Sequence, residues 1–291
     1  MNNGDNNATP ITVPVSASGV SLWLRQGIAI FSIESARILF SRRALPACIL
    51  ALLPILVFAS AVYGSILQGD SVFGTIENGR RAFGFIFSSL ILGAVIFLGS
   101  AGIFTTLFRG EILDRSIHYY LLTPVRREVL IAGKFLAGLA CAFLLFGLST
   151  VASFLLMYLT HGTGPLFTDL NNGIVLQQSG QYLGITLLAC MGYGAIFMTT
   201  GLLFRNPLIP VVVIAGWEFI HFVLPPALKI FSVIYYLKGL LPIPMDEGSL
   251  AIIVAPPPLW VSIVGMLVLS SVALAAAVVV LKKMELRYTE E

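Results

Sequence analysis

Apolar residues run through this chain in long blocks separated by short polar segments, and the block lengths are those of membrane spans. A helix needs about 20 residues to cross a hydrocarbon core about 30 Å thick. Six blocks reach or approach that length: 44–67, 83–108, 135–159, 182–204, 208–224 and 258–281. None alternates with the period of two expected of a barrel strand, and open sheets leave backbone groups unsatisfied in lipid, so the blocks predict helices. The expected fold is an all-α integral membrane protein with six transmembrane helices.

The segments between the blocks differ from one another. Over 22–40 apolar residues surround a narrower polar side with Arg25, Gln26, Glu34 and Arg37. That pattern predicts an amphipathic helix in the membrane interface, with Trp23 at headgroup level. The stretch between spans three and four, HGTGPLFTDLNNGIVLQQSGQ, reads as a polar, glycine-rich loop. Between spans five and six, prolines bracket an apolar piece at 227–240, too short to cross and suited to a re-entrant or interfacial segment. Residues 1–20 read as a disordered, Asn-rich tail, 21–285 as one transmembrane domain and 286–291 as a second tail.

Composition agrees with this pattern. The chain is 57% hydrophobic and 11% charged, where soluble domains hold about 25% charged residues, and its mean hydropathy is +0.94. The positive charges set the expected orientation. With the N-terminus inside, thirteen Lys and Arg residues fall on inner segments, and only Arg80, Arg81, Lys229 and Lys238 on outer ones. This bias predicts both termini in the cytoplasm; the expected location is the cell's inner (plasma) membrane.

Candidate chemistry is sparse. The sequence has no GxxxxGK[ST] phosphate loop, no HExxH and no GxSxG, and its three histidines (His118, His161 and His221) are far apart. Cys48, Cys141 and Cys190 all lie in apolar blocks, as small buried hydrophobes do. The chain is not expected to be an enzyme, nor to hold a cofactor or metal or to bind nucleic acid.

Charge instead gathers at 109–134, RGEILDRSIHYYLLTPVRREVLIAGK, between the second and third blocks. Over 111–122 the apolar residues fall on one helical face, with Glu111, Asp114, Arg115, His118 and Tyr119 mostly on the other. Gly110 precedes that expected helix, whose acidic residues suit its positive dipole end. Thr123 and Pro124 then suit the start of a second helix carrying Arg126, Arg127 and Glu128. On pattern alone, such a hairpin could equally rest on anionic headgroups.

The stretch RGEILDRSIHYYLLTPVRREVLIAGKFLAG resembles the segment after the second span in permeases of the type-2 ABC exporter family. The matching elements are Gly110-Glu111, Leu121-Leu122-Thr123-Pro124, Arg126-Arg127-Glu128 and Gly133-Lys134, although the family's glycine often follows the acidic residue. The order of the other segments, over about 20–285, resembles the family as well. The resemblance implies that 110–122 is a coupling helix docking on a separate cytoplasmic ABC ATPase, with Gly110, Glu111, Asp114, Arg115, His118 and Tyr119 as the docking face. It further implies two ATPase copies holding ATP and Mg, and a second permease copy, identical or a sister chain, all within membrane lipid. ATP hydrolysis would then be the partner's, and the transported substrate is not named.

Glu218 and His221 are a second feature. They lie three residues apart on the fifth block, and seven residues separate Glu218 from Pro225, which places the carboxyl about 10 Å inside the expected helix end. Ionisable groups at such depth face an interior or a cavity. They mark a substrate path, a dimer seam, or a plain inter-helix hydrogen bond to Tyr193 or Thr199. Apart from the resemblance, a secondary transporter or a membrane scaffold recruiting a cytoplasmic partner also accommodates the pattern.

Overall fold

The structure, a computed structural model, describes residues 20–40, 45–113, 126–204, 206, 208–220, 225–243 and 257–283. The expected tails at 1–20 (but for Val20) and 286–291, and residues 114–125 of the polar insert, lie outside them. Every regular element among the described residues is helical. In chain order these are α1 (Val20–Phe40), α2 (Leu45–Gln68), α3 (Ile76–Ile86), a π-helical segment (Phe87–Ile96) and α4 (Phe97–Leu113). There follow α5 (Arg127–Leu159), α6 (Thr163–Asn171), α7 (Ile174–Leu203), α8 (Leu208–Phe219), α9 (Pro226–Lys229), α10 (Val233–Lys238) and α11 (Leu259–Lys283).

Five of the helical runs are long and apolar enough to cross a membrane: Leu45–Gln68, Ile76–Phe108, Arg127–Leu159, Ile174–Leu203 and Leu259–Lys283. The chain is thus an all-α, membrane-embedded protein. The fifth expected span, 208–224, is different. Its helix covers only the 12 residues Leu208–Phe219, about 18 Å at 1.5 Å per residue, which falls short of the hydrocarbon thickness.

Other boundaries differ from the sequence expectation as well, span two beginning at Ile76 rather than 83. Span three begins at Arg127 rather than 135, because Arg126 takes an extended N-cap conformation (φ −66°, ψ 137°) and the helix then runs unbroken through Gly133 and Lys134. Span four begins at Ile174 rather than 182, and the loop before it contains α6. Gly162 (φ 84°) and Gly173 (φ 75°) bracket that helix in left-handed conformations that other residues rarely adopt. The expected re-entrant piece forms two short helices, α9 and α10, broken before Val233.

Helices α4, α5, α7 and α11 form the packed centre, with α2 against α5. Small residues set the closest approaches. A Cβ on Gly201 of α7 would stand 3.0 Å from Thr105 Cα and 3.1 Å from its carbonyl oxygen, so α4 and α7 meet backbone to side of backbone. Gly194 leaves room for the Phe104 ring and Gly192 for Met266, whereas Gly180 and Gly184 face open space. Of the five glycines of α7, three admit a neighbour.

Helix α1 lies along α5. Trp23, Gly27, Ile30, Glu34 and Ile38 form its inward stripe at helical spacing, while Leu24, Ile28 and Ile33 are exposed. Glu34, expected on a solvated polar side, is buried against α5. The charge is carried inward because Lys134 waits there.

Candidate functional site

Two places carry charge inside this apolar framework. The first is the end of the bundle from which the polar insert leaves. Gly110 and Glu111 belong to the last turn of α4, which continues to Leu113, rather than opening a new helix. A glycine inside a helix costs about 1 kcal/mol relative to alanine, and the helical residues on both sides carry the run through it. Asp114, Arg115, His118 and Tyr119 lie outside the described residues, as do Thr123 and Pro124.

In the C-terminal part of the insert, Arg126 and the first turn of α5 make three cross-helix contacts. The Arg126 guanidinium stacks 4.1 Å from the centroid of the Trp23 ring on α1. Arg127 Nη1 donates to the Leu281 carbonyl at 2.8 Å, satisfying one of the carbonyls left over at the end of α11. Glu128 pairs with Lys282 of α11, each on the helix end whose dipole favours its charge. Both side chains are about half exposed, so that pair adds little stability. Trp23, expected among headgroups, serves here as the seat for Arg126.

Deeper along α5, Lys134 Nζ donates to Glu34 Oε1 at 2.5 Å, with both side chains buried, and approaches the Leu107 carbonyl of α4 at 3.4 Å. The Phe108 ring lies 5.3 Å from the same nitrogen. Four helices, α1, α4, α5 and α11, are therefore joined through the C-terminal part of the insert.

The second place is a cleft of about 830 Å³ between the π-helical segment, α8 and α10. Ser88, Ser89, Gly93 and Phe97 form one wall, and Val212, Ala215, Gly216 and Phe219 the other. Glu218, Ile234 and Lys238 line it from the break between α8 and α10. The volume lies within the range of about 300–1,000 Å³ usual for small-molecule sites. Ser88 and Ser89 both donate to the Phe85 carbonyl, at 3.1 and 2.7 Å, which folds their hydroxyls back onto the helix. Long π-helical runs are rare, and π geometry recurs at functional sites.

Glu218 is the penultimate residue of α8, not a residue well inside a span. Its carboxylate Oε1 accepts from the Val233 amide at 2.8 Å, and Oε2 accepts from Ser232 Oγ at 2.6 Å and the Ile234 amide at 3.3 Å. One buried side chain thus ends α8 and caps α10, where a carboxylate meets the positive helix end. The expected partners are corrected accordingly. Thr199 donates to the Ala195 and Ala273 carbonyls, and the buried Tyr193 hydroxyl has no hydrogen-bond partner among the described residues. His221 lies outside the described residues. Lys238, which sequence reasoning assigned to an outer loop, reaches the same cleft.

At the far end, Arg80 is held by side chains of two neighbouring helices. It pairs with Asp169 of α6, and its Nε donates to the Tyr158 hydroxyl at 3.2 Å, while Arg81 pairs with Glu77 at 2.6 Å on the surface. Cys48, Cys141 and Cys190 are free thiols, and no three His, Cys, Asp or Glu side chains gather as a metal would require among the described residues. Compared with known proteins, the chain matches no family model, no curated protein and no solved structure.

Proposed function

We propose that this chain is the membrane-spanning subunit of an ATP-binding cassette exporter. The observation that carries the reading is the mounting of the polar insert. It leaves α4 and enters α5 at a point where Arg126, Arg127, Glu128 and Lys134 connect four helices. A push on such an insert is delivered to the bundle rather than absorbed by a loose loop. The resemblance of 109–138 to the type-2 exporter permeases supplies the identity of what pushes: a cytoplasmic ABC ATPase, binding ATP and Mg and present in two copies beside a second permease copy.

In this reading both termini face the cytoplasm of the inner (plasma) membrane. Helix α1 lies at the interface with its exposed apolar residues in lipid, and α8 with the α9–α10 break serves as a shortened fifth span leading into α11. Gly110, Glu111, Asp114, Arg115, His118 and Tyr119 form the docking face, and the cleft beside Glu218 lies on the substrate path or the permease seam. Two-state rocking of the spans would couple hydrolysis to export.

The break between α8 and α10 beside a buried carboxylate also fits a secondary transporter, whose binding helices are commonly interrupted. Purification from native membranes separates the two. The full chain, isolated in mild detergent, should bring down an ABC ATPase whose hydrolysis rises when the chain is present. A chain that isolates without such a subunit and drives transport from an ion gradient overturns the exporter reading.

A further inference from the structure

We infer that Lys134 is a positioning residue: through Glu34 and the Leu107 carbonyl it locks α1, the end of α4 and the start of α5 into one body at the polar insert. The ATPase arm of the test rests on the exporter reading, whereas the geometric arm does not. Lys134 is 0% and Glu34 2% exposed, and 100 residues of chain separate them. Lys134 lies seven residues beyond Arg127 and Leu107 six before Leu113, so the joint sits about 10 Å along each helix from the end of α4 and the start of α5.

The surrounding packing brings α1 close enough for the pair to form. A Cβ on Gly133 would stand 3.0 Å from Ile30 Cγ2 and 3.4 Å from the Gly27 carbonyl oxygen, and Gly27 in turn approaches Val129 Cγ1. Two turns further along α5, Cys141 Sγ lies 3.8 Å from the Ser35 carbonyl. The crossing is filled by side chains on every side of the ion pair, so volume alone does not call for charge there. Two apolar residues would fill the same space without desolvating ions, and such replacements are often neutral or stabilising. What a buried pair adds is direction. Lys134 Nζ donates towards α1 and α4 at once, and sliding either helix breaks a contact that has no water to replace it.

The test uses the full chain in phosphatidylcholine–phosphatidylglycerol vesicles, with Cys48, Cys141 and Cys190 replaced by serine. Spin labels go at Ile28 of α1 and Thr106 of α4, both exposed. The parent should give one narrow distance distribution. Glu34→Leu with Lys134→Met should fold yet broaden it about twofold, because the apolar pair fills space without fixing register. The swap Glu34→Lys with Lys134→Glu should restore the narrow distribution, and it decides the matter if the apolar pair fails to fold. An apolar pair as narrow as the parent, or a swap that fails to narrow the distribution, overturns the inference. In the assembled complex the apolar pair should lower stimulated ATP hydrolysis about tenfold while the ATPase stays bound, since docking and transmission are separate free energies. A parent chain that stimulates no ATPase defeats the exporter reading and leaves the distance result to stand or fall alone.

Discussion

A carboxylate that accepts from Ser232 Oγ and from the Val233 and Ile234 amides strands three donors when it is removed. Each buried donor without a partner costs about 1–3 kcal/mol, although relaxation recovers part of the sum. Glu218→Ala should therefore lose about 3 kcal/mol, and Glu218→Gln, which keeps one acceptor oxygen, about half of that. Thermal unfolding of the purified chain in detergent reads the difference. Equal losses in the two variants would mean that the single acceptor oxygen kept by Gln satisfies none of the three donors. The sequence shows that Glu218 is interior, because an acid in an apolar block has few other places to be. It does not show the partner. Pro225-Pro226 looks like the terminator of the helix, since chains usually leave helical geometry just before proline. Helix α8 stops earlier, at Phe219, and the partners come from a second helix that begins 15 residues after Glu218.

At the scale of elements, the spans were legible and their edges were not. Block length and apolarity place α2, α5, α7 and α11 within a few residues of one end, but polar residues extend α5 and α7 beyond their apolar parts. Ser179 and Gln181 lie ahead of the expected start of span four and are helical all the same. Arg127 and Glu128 do the same for span three, held by Leu281 and Lys282. Glycine shows the same division between pattern and packing. Gly102 of α4 meets nothing within 4 Å, while Gly201 of α7 stands against the Thr105 backbone. Gly102→Ala should raise stability by up to about 1 kcal/mol through helix propensity. Gly201→Ala gains the same propensity but forces α4 and α7 apart, and overpacking of this kind costs about 1–3 kcal/mol. The two variants should shift Tm in opposite directions. A Gly201→Ala protein at least as stable as its Gly102→Ala counterpart would mean that the α4–α7 contact is looser than its geometry.

For the whole molecule, the exporter reading turns on where the energy for movement would enter. The sequence answers in part. Charge is scarce everywhere except 109–134, and without a phosphate loop in the chain that segment reads as a contact with something soluble. What composition could not convey is how firmly the segment is anchored, because the anchors are single residues on α1 and α11, distant in sequence and each unremarkable in its own block. Glu34 among apolar neighbours reads as one more polar residue until Lys134 is seen against it. Given that anchoring, reversing charge at the insert should disturb the partner and spare the bundle. Glu111→Lys with Asp114→Lys places like charge against a surface complementary to acid, which costs several kcal/mol at an interface and nothing inside the spans. Hydrolysis by the bound ATPase should fall to within about twofold of its rate without the chain. Vesicle insertion and helical content should match the parent, because residues 111 and 114 lie beyond the apolar part of α4, which ends near Phe108. Arg81→Glu provides the control: it removes an exposed pair at the far end of the same helical run and should leave hydrolysis untouched. Normal stimulation in the double variant would mean that this face does not meet the ATPase. A loss shared equally by Arg81→Glu would place the sensitivity in the span rather than the insert.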